Sequence, residues 1–244
     1  MTKAILITGS GTRIGAFLAK SLSKHGWAVA IHYNKSSESA ELLFEEIRAK
    51  GGKVALVKAD LFVPDDLDVL IKKASENLGV RLTALINNAS TFEEDSFESF
   101  TNSSFDYHMD INLRAPIILS QKFAEQLPCN IKGQIINIID QRVLNSDPSF
   151  FTYSISKSAL FWATKTMAQS LAPNIRVNAI GPGPTIKNYI QTDEDFNSEI
   201  NSTLLKNGSP PDELLKGILY LLSESSVTGH MIPIDGGQHL SFTS

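Results

Sequence analysis

The sequence predicts an α/β fold in which helices cover both faces of a doubly wound parallel sheet. Short apolar runs alternate with longer segments whose apolar residues recur about every 3.6 residues, from one end of the chain to the other. Such alternation is typical of strand–helix–strand crossovers, which bury a parallel sheet between two helical layers. No Ser/Pro-rich linker, repeat or low-complexity tract interrupts the pattern. We therefore expect one domain spanning residues 1–244.

Apolar runs provide the candidate strands, and their number predicts a sheet of about seven strands. They lie at residues 4–8, 28–33, 54–59, 84–87, 134–139, 175–180 and 230–234. Helical spacing is clearest in the segments that separate the first strands, at 14–25, 38–50 and 64–78.

The stretch 184–208 breaks the alternation. It begins in the sequence Gly-Pro-Gly-Pro, is polar and weakly periodic, and contains Lys187, Asn188 and Tyr189 ahead of an acidic run at 193–195. Long loops inside compact domains usually have a function and often act as lids. We expect a mobile substrate lid with room for one short helix, and the acidic run favours a neutral ligand over an anionic one.

Composition narrows the class of protein. The chain is 42% apolar and 20% charged, the balance of a globular protein, and its net charge of −4 disfavours general nucleic-acid binding. No apolar run approaches the roughly 18 residues needed to cross a bilayer, and the first strand follows Lys3 too closely for a signal peptide. The single cysteine, Cys129, excludes an intrachain disulfide. We expect a cytoplasmic protein that binds a small molecule and no metal.

The first strand leads into the glycine-rich sequence Thr-Gly-Ser-Gly-Thr-Arg-Ile-Gly at residues 8–15. Between a first strand and a first helix, such a turn can direct backbone N–H groups and a helix N-terminus toward a pyrophosphate. Arg13 occupies a position where a dinucleotide-binding turn of this kind would usually have a glycine. The alternatives are an ordinary strand–helix loop for the turn and a solvent-facing side chain for Arg13.

The second candidate strand is followed by Asn34, Lys35 and Ser36. An acidic residue here would accept hydrogen bonds from the adenine ribose, and none is present. The donors and the positive charge suit a 2′-phosphate instead, which favours NADP(H) over NAD(H). An ordinary solvated lysine is the alternative for Lys35. Asp60, after the third strand, could accept from the adenine amino group or cap the next helix.

Four motifs, met in order, resemble those of the short-chain dehydrogenase/reductase family. They are the glycine-rich turn, Asn-Asn-Ala at 87–89, Asn112 on a helix, and Tyr-x3-Lys at Tyr153 and Lys157. The resemblance covers nearly the whole chain and implies a Rossmann-type sheet of about seven strands.

The same resemblance implies an assembly and a cofactor site. Helices near 103–127 and 151–171 would join the subunits of a homotetramer. The cofactor would be NADPH. The implied cofactor-binding residues are Gly9, Ser10, Arg13, Ile14, Gly15, Asn34, Lys35, Ser36, Asp60, Asn88, Ala89, Pro182 and Gly183.

Three departures from the family pattern resemble the pteridine reductase branch, which includes bacterial dihydromonapterin reductases. They are Arg13 in the turn, Ser90 in place of the more usual glycine with Phe92 after it, and Asp140 where most members have a serine. The branch implies reduction of a dihydropterin such as dihydromonapterin or dihydrobiopterin, with dihydrofolate as a further candidate.

The expected catalytic residues are Asp140, Tyr153, Lys157 and Asn112. Tyr153 and Lys157 lie one helical turn apart, so the ammonium should lower the pKa of the phenol from about 10 toward working pH. Lys157 should also bind the nicotinamide ribose, and Asn112 should hold a water beside Lys157. Asp140 ends the fifth strand, where burial would raise its pKa and let it carry a proton toward a C=N nitrogen. The alternative for Tyr153 and Lys157 is an incidental pair on a helix, and the alternative for Asp140 is an aspartate that caps the turn after the strand.

A flat pterin would need an aromatic surface and paired hydrogen-bonding groups. Phe92 could stack on one face of the ring while the nicotinamide lies on the other, and Ser90 could bond the ring or a cofactor phosphate. The planar guanidinium of Arg13 could lie between the pyrophosphate and the ring. Core packing is the alternative for Phe92. The expected substrate-binding residues are Arg13, Ser90, Phe92, Asp140 and Tyr153.

Two other functions compete with pterin reduction. A reductase of 3-oxoacyl thioesters or small carbonyls is the enzymatic alternative, and Asp140 disfavours it because an ionised carboxylate repels a developing alkoxide. A non-catalytic NADP-binding regulator is the alternative from another class. The presence of Tyr153, Lys157 and Asn112 disfavours it, since a regulator needs no proton relay.

Overall fold

The structure is a computed structural model that describes residues 3–187 and 191–241. Its centre is a seven-stranded parallel sheet in the order β3-β2-β1-β4-β5-β6-β7, which confirms the predicted fold class. The chain moves outward in one direction after β1 and in the other after β4, so the sheet is doubly wound. The strands are β1 Ala4–Ile7, β2 Ala28–Tyr33, β3 Val54–Lys58, β4 Ala84–Asn87, β5 Gly133–Ile138, β6 Ile175–Pro182 and β7 Met231–Ile234.

Helices connect the strands and end within a residue or two of the predicted bounds wherever the periodicity was clear. Single turns of 3₁₀ helix lie at Gln141–Val143 and Gln238–Leu240. The α-helices are α1 Arg13–Lys24, α2 Ser37–Ala49, α3 Pro64–Leu78, α4 Asn102–Met109, α5 Ala115–Gln126, α6 Phe151–Leu171, α7 Asp193–Ser202 and α8 Pro211–Ser223.

The core has two layers because side chains alternate along each strand. Leu6 and Leu85 point to the face covered by α3, α5 and α6, whereas Ile5 and Ile86 point to the face covered by α1, α2 and α8. All four side chains are fully buried. Strands apolar on both faces are what a sheet between two helical layers requires.

The structure corrects one predicted helix. The segment expected as a single helix near 103–127 is interrupted by a π-helical turn at Asp110–Arg114, which separates α4 from α5. Such turns have one extra residue and occur frequently at functional sites. The expected helix near 151–171 is α6 and is continuous.

The expected lid contains one helix, α7, which starts at a capping box formed by Thr192 and Asp195. Lys187 and Asp193 form an ion pair at 2.5 Å ahead of it. Asn188 and Tyr189, named in the sequence-based expectation, lie outside the described residues. Within residues 3–187 and 191–241, every helix is too short or too polar to cross a bilayer.

Candidate active site

The glycine-rich turn is so compact that a side chain at Gly11 or Gly15 would collide with neighbouring atoms. A Cβ on Gly15 would lie 2.4 Å from the carbonyl oxygen of Gly9, and one on Gly11 would lie 2.5 Å from the hydroxyl of Ser36. The turn therefore lies directly against the end of β2, and the N-terminus of α1 opens beside it. Helix N-termini of this kind favour anions.

The segment after β4 braces the turn. The hydroxyl oxygen of Thr8 accepts hydrogen bonds from the backbone N–H groups of Asn88 (2.9 Å) and Ala89 (3.0 Å), and the amide of Asn88 donates to the carbonyl of Thr8 at 2.8 Å. The hydroxyl of Ser10 donates to Ile7 at 2.7 Å. The predicted cofactor residues in the turn and in the segment after β4 thus form one local structure. Ile14 packs at the edge of the core beside them.

A histidine that sequence reasoning missed lies under the turn. The ring nitrogen Nδ1 of His32 accepts from the backbone N–H of Gly9 at 2.9 Å, so Nε2 holds the proton and donates to the carbonyl of Ala59 at 3.2 Å. Burial lowers the pKa of His32 to about 4, which keeps the ring neutral. In the sequence His32 is one polar residue in an apolar strand, and this gives no sign of its contact with the turn.

Arg13 has a left-handed backbone, with φ of 49°. Glycine adopts such a conformation without steric cost, which is the physical reason for glycine at equivalent turns. The guanidinium Nη2 donates to the carbonyl of Ile186, in the expected lid, at 2.8 Å. The solvent-facing alternative is therefore incomplete, since the side chain joins the turn to the 184–208 segment.

The predicted cofactor residues after β2 and β3 differ in their exposure and in their hydrogen bonds within the protein. Lys35 is exposed, and Asn34 and Ser36 are half-buried beside the turn. Asp60 closes a turn ahead of α3, since its Oδ1 accepts from the N–H of Phe62 at 3.0 Å. It does not cap the helix, because α3 begins after Val63 without a side-chain cap. A role in binding adenine stays a prediction.

Asp140 and Tyr153 meet at the carboxyl end of β5. The phenol of Tyr153 donates to Oδ2 of Asp140 at 2.7 Å, and Oδ1 of the same carboxylate accepts from the N–H of Arg142 at 2.9 Å. The Nζ of Lys157 donates to the carbonyl of Ile138 at 3.0 Å and lies 5.7 Å from the centre of the Tyr153 ring. Asp140 thus caps the turn that follows β5 and also bonds the phenol.

The pKa of Tyr153 contradicts the sequence-based expectation. Burial raises the pKa of Tyr153 well above its ordinary value, and the Asp140 carboxylate raises it further. Burial also lowers the pKa of Lys157 to about 8 and raises that of Asp140. Lys157 partly offsets the rise in the pKa of Asp140, but it does not offset the rise at Tyr153, because its Nζ bonds the backbone and not the phenol oxygen. In this structure Tyr153 is a neutral donor.

Asn112 lies in the π-helical turn and is fully buried. Its Oδ1 accepts from the hydroxyl of Ser90 (3.1 Å) and the N–H of Thr91 (2.9 Å), and its Nδ2 donates to Ser156 at 3.1 Å. Asn112 therefore joins the loop after β4 to α6. Its expected role beside Lys157 stays a prediction.

Phe92 forms part of an aromatic wall beside Tyr153. Its ring stacks on Phe150 at 4.1 Å with an interplanar angle of 8°, and it meets the edge of the Tyr153 ring at 4.7 Å. The guanidinium of Arg142 lies 5.0 Å from the centre of the Phe150 ring. Because the side chain of Phe92 is 45% exposed, core packing does not explain it. Sequence reasoning missed Phe150 and Arg142.

Pro182 and Gly183 end β6 at the same edge of the sheet. The N–H of Gly183 donates to Ile234 at 3.0 Å, and a Cβ on Gly183 would lie 2.8 Å from the Cα of Asp235. The backbone at this point is therefore packed against the segment that follows β7.

The sheet, the glycine-rich turn at its switch point and the tyrosine–lysine pair along one edge define a Rossmann-type protein of the doubly wound α/β class. The chain belongs to the short-chain dehydrogenase family, whose model matches residues 3–196. The predicted family is confirmed.

Individual relatives cover almost the whole chain. The crystal structure of FolM alternative dihydrofolate reductase 1 from Brucella canis, complexed with NADP, is 40% identical, covers 99% of this chain and 96% of its own, and has a TM-score of 0.95. An uncharacterized oxidoreductase of Thermotoga maritima is 31% identical over 96% of both chains. A 3-oxoacyl-[acyl-carrier-protein] reductase of Staphylococcus epidermidis is 27% identical, covering 98% of this chain and all of the relative.

Proposed function

We propose that this protein is an NADPH-dependent reductase of dihydropterins, with dihydromonapterin and dihydrobiopterin as the leading substrates and dihydrofolate as a further one. The observation that carries the proposal is the bond between the Tyr153 phenol and the Asp140 carboxylate at the carboxyl end of β5. Ligands of doubly wound proteins bind at this edge of the sheet. A carboxyl in this place can pass a proton to a ring nitrogen.

The residues at the glycine-rich turn fit NADPH. Gly11 and Gly15 are packed closely against their neighbours, and the exposed residues Thr12 and Arg13 lie at the N-terminus of α1. Lys35 is exposed at the end of β2, and no carboxylate precedes it on that strand, as a 2′-phosphate requires. The other residues that would hold the cofactor are Gly9, Ser10, Arg13, Ile14, Asn34, Ser36, Asp60, Asn88, Ala89, Pro182 and Gly183.

Once bound, NADPH supplies the hydride, and the protein must supply the proton. Tyr153 carries a proton at neutral pH because burial and Asp140 both raise its pKa. The raised pKa of Asp140 allows the carboxyl to take up a proton from solvent and return it through the phenol. Lys157 adds positive charge close to both groups and would contact the ribose.

A flat heterocycle suits the wall formed by Phe92 and Phe150. Phe92 exposes enough of its ring to stack on a ligand, and Ser90, two residues earlier in the same loop, has a hydroxyl that already bonds Asn112. The bond from Arg13 to Ile186 holds a cation beside the turn, where it could bind the acceptor edge of a pterin. The NADP-bound dihydrofolate reductase of Brucella canis, at 40% identity, supports this substrate class.

Reduction of 3-oxoacyl thioesters is the second candidate, because the Staphylococcus epidermidis reductase matches the chain from end to end. Asp140 disfavours it. Its carboxylate accepts the phenol proton, whereas a ketone oxygen at that place would need a second donor. A non-catalytic NADP-binding regulator remains the candidate from another class, and a cytoplasmic homotetramer remains the expected assembly.

Loss of NADPH absorbance with a panel of substrates tests the proposal. The panel contains dihydromonapterin, dihydrobiopterin, dihydrofolate and an acetoacetyl thioester. We expect turnover with the pterins. Turnover of the thioester alone would establish the second candidate, and tight NADPH binding without any turnover would establish the regulator.

Asp140→Ser gives a sharper result than the panel alone. We expect it to reduce pterin turnover by roughly a hundredfold, within the range for loss of a proton-transfer group, while any ketone activity falls less. Asp68→Ser, which makes the same substitution at an exposed carboxylate of α3, serves as the control. Equal losses on both substrates would make Asp140 a structural residue.

A further inference from the structure

Helix α6, which carries Tyr153, begins without a cap of its own. The residue before its first turn is Phe150, which has a left-handed backbone and no side-chain acceptor. Asp95, from the loop after β4, replaces the missing cap. Its carboxylate accepts from the N–H of Thr152 at 3.0 Å, and its carbonyl accepts from the N–H of Phe151 at 3.2 Å. A carboxylate at this position also offsets the positive end of the helix dipole.

The hydrogen bonds behind this cap run in one direction. The N–H of Glu93 donates to Nε2 of His108 at 3.2 Å, so the proton of the neutral ring is on Nδ1. Nδ1 then donates to the hydroxyl of Thr152 at 2.7 Å, and that hydroxyl donates to Asp95. Burial lowers the pKa of His108, which keeps the ring neutral. A hydroxyl that accepts from one neighbour and donates to another fixes the polarity of the chain.

The hydrogen-bonded series from Glu93 through His108 and Thr152 to Asp95 adjoins Tyr153 on two sides. Thr152 precedes Tyr153 in the first turn of α6, and the His108 ring meets the Tyr153 ring at 6.0 Å in an edge-to-face arrangement. The Phe92 ring contacts the same tyrosine at 4.7 Å and belongs to the loop that contains Asp95. Asp95 and Thr152 are both buried. The links therefore join the loop that carries Phe92 to the helix that carries the phenol.

We propose that Asp95, Thr152 and His108 are positioning residues that hold the Tyr153 phenol against Asp140 and at a fixed distance from Phe92. The proposal rests on the proposed function only for the identity of the substrate. Asp95 caps the first turn of α6 and accepts from the Thr152 hydroxyl. That hydroxyl accepts from His108, and the His108 ring packs against the Tyr153 ring. All three side chains are buried, so we assign them an effect through Tyr153 and not a contact with the substrate.

Two substitutions of Thr152 separate positioning from packing. Thr152→Val keeps the shape and removes the hydroxyl, whereas Thr152→Ser keeps the hydroxyl and removes a methyl group. Loss of the hydroxyl leaves Nδ1 of His108 without its partner in a buried place and leaves Oδ2 of Asp95 with only the long bond from the Ser104 hydroxyl, at 3.4 Å. The first turn of α6 must therefore shift. We expect Thr152→Val to lower kcat by roughly tenfold to a hundredfold, as small misplacements do. The KM for NADPH should change less than twofold.

A readout without substrate accompanies the kinetics. Tyrosine labelled at the ζ-carbon and followed by NMR reports the ionisation of Tyr153, assigned by its absence in Tyr153→Phe. We expect Thr152→Val to lower the pKa of Tyr153, because the phenol moves from its bond with Asp140 and from its buried place. Arg142 and Lys157, the other charged groups near the phenol, are unchanged in both variants. Thr152→Ser should titrate as the parent protein does.

Asp95→Asn is the second variant and guards against a failure of Thr152→Val to fold. Its amide can still cap the helix through the oxygen, but its Nδ2 must donate to the hydroxyl that already accepts from His108. We expect the same fall in kcat and the same shift in the Tyr153 titration. Equal behaviour of Thr152→Val and Thr152→Ser, or an unchanged Tyr153 titration in both Thr152→Val and Asp95→Asn, would overturn the proposal. If the parent protein reduced no pterin, the proposed function would be wrong. The titration of Tyr153 would still decide whether Asp95, Thr152 and His108 position the phenol.

Discussion

The glycine-rich turn and the first turn of α6 are both supported from behind by a buried histidine, but the two histidines differ. His32 uses Nδ1 as the acceptor and receives the backbone N–H of Gly9. His108 uses Nε2 as the acceptor and receives the backbone N–H of Glu93. The proton is therefore on opposite nitrogens. His32 ends its chain on a carbonyl, whereas His108 leads through a hydroxyl to a carboxylate.

This difference separates a binding region from a chemical one. Around His32 every partner is backbone or a serine hydroxyl, so the region can hold its shape but has no group that exchanges protons at neutral pH. Around Tyr153 the buried groups Asp140 and Lys157 both have shifted pKa values. Perturbed pKa values concentrate where chemistry occurs. Under the proposed function, the turn binds the cofactor and the edge near α6 moves a proton.

Tyr153→Phe should have the largest effect, because it removes the proton donor of the chemical region and leaves the binding region intact. We expect turnover to fall by about a thousandfold, within the range for a general acid. The dissociation constant of NADPH, measured by fluorescence titration, should stay within a factor of two. A variant that kept most of its activity would contradict the proton relay.

The second largest effect should come from acid, which should lower the free energy of unfolding through His32 in the binding region. His32 has a folded pKa of about 4 against an ordinary value of 6.5, so the unfolded chain takes up the proton first as pH falls. Stability is therefore complete above pH 6.5 and is lost between pH 6.5 and about 4, by about 3 kcal/mol if the shift is fully expressed. Urea unfolding across this range checks it. His32→Asn, which has no titrating ring, should lose less.

Replacing His32 tests the acceptor itself. His32→Leu leaves the half-buried N–H of Gly9 without its partner, and we expect a loss of roughly 1–3 kcal/mol in the free energy of unfolding together with weaker NADPH binding. His32→Asn can offer an oxygen near the former position of Nδ1 and should recover part of both. Equal losses in the two variants would mean that ring packing, and not the bond to Gly9, supports the turn.

Lys157→Met should give the smallest effect and one of opposite sign. Burial lowers the pKa of Lys157 to about 8, so its charge opposes folding at neutral pH. The variant loses the bond to Ile138, and we expect a net gain of about 1 kcal/mol in the free energy of unfolding. The parent protein should gain stability as pH rises from about 8 to 10.5, and the variant should not.

The sequence predicted the architecture because its signals are local. Strands β2 and β4 have the predicted bounds, since an apolar run between turn residues needs no knowledge of its neighbours. Tyr153, Lys157 and Asp140 were recognised from spacing and family resemblance, and the structure brings them to one edge. Their roles stay predictions.

Features that depend on distant contacts were missed. The π-helical turn at Asp110–Arg114 depends on bonds from Asn112 to the loop after β4 and to α6, which no spacing reveals. Asp95 caps a helix 57 residues further along the chain. The wrong direction for the pKa of Tyr153 has the same cause, because burial and the Asp140 contact arise only in the folded chain.

Arg13 has an unfavourable backbone conformation, and its side chain connects the first loop of the fold to a segment late in the chain. A left-handed arginine costs about 1 kcal/mol relative to glycine, yet through one bond it tethers Ile186, which lies 173 positions later. A chain with glycine there would have a more relaxed first loop and a looser late segment. The tether uses one of the five N–H donors of the guanidinium, so an anion at the turn can bind the same side chain while the distant segment stays attached.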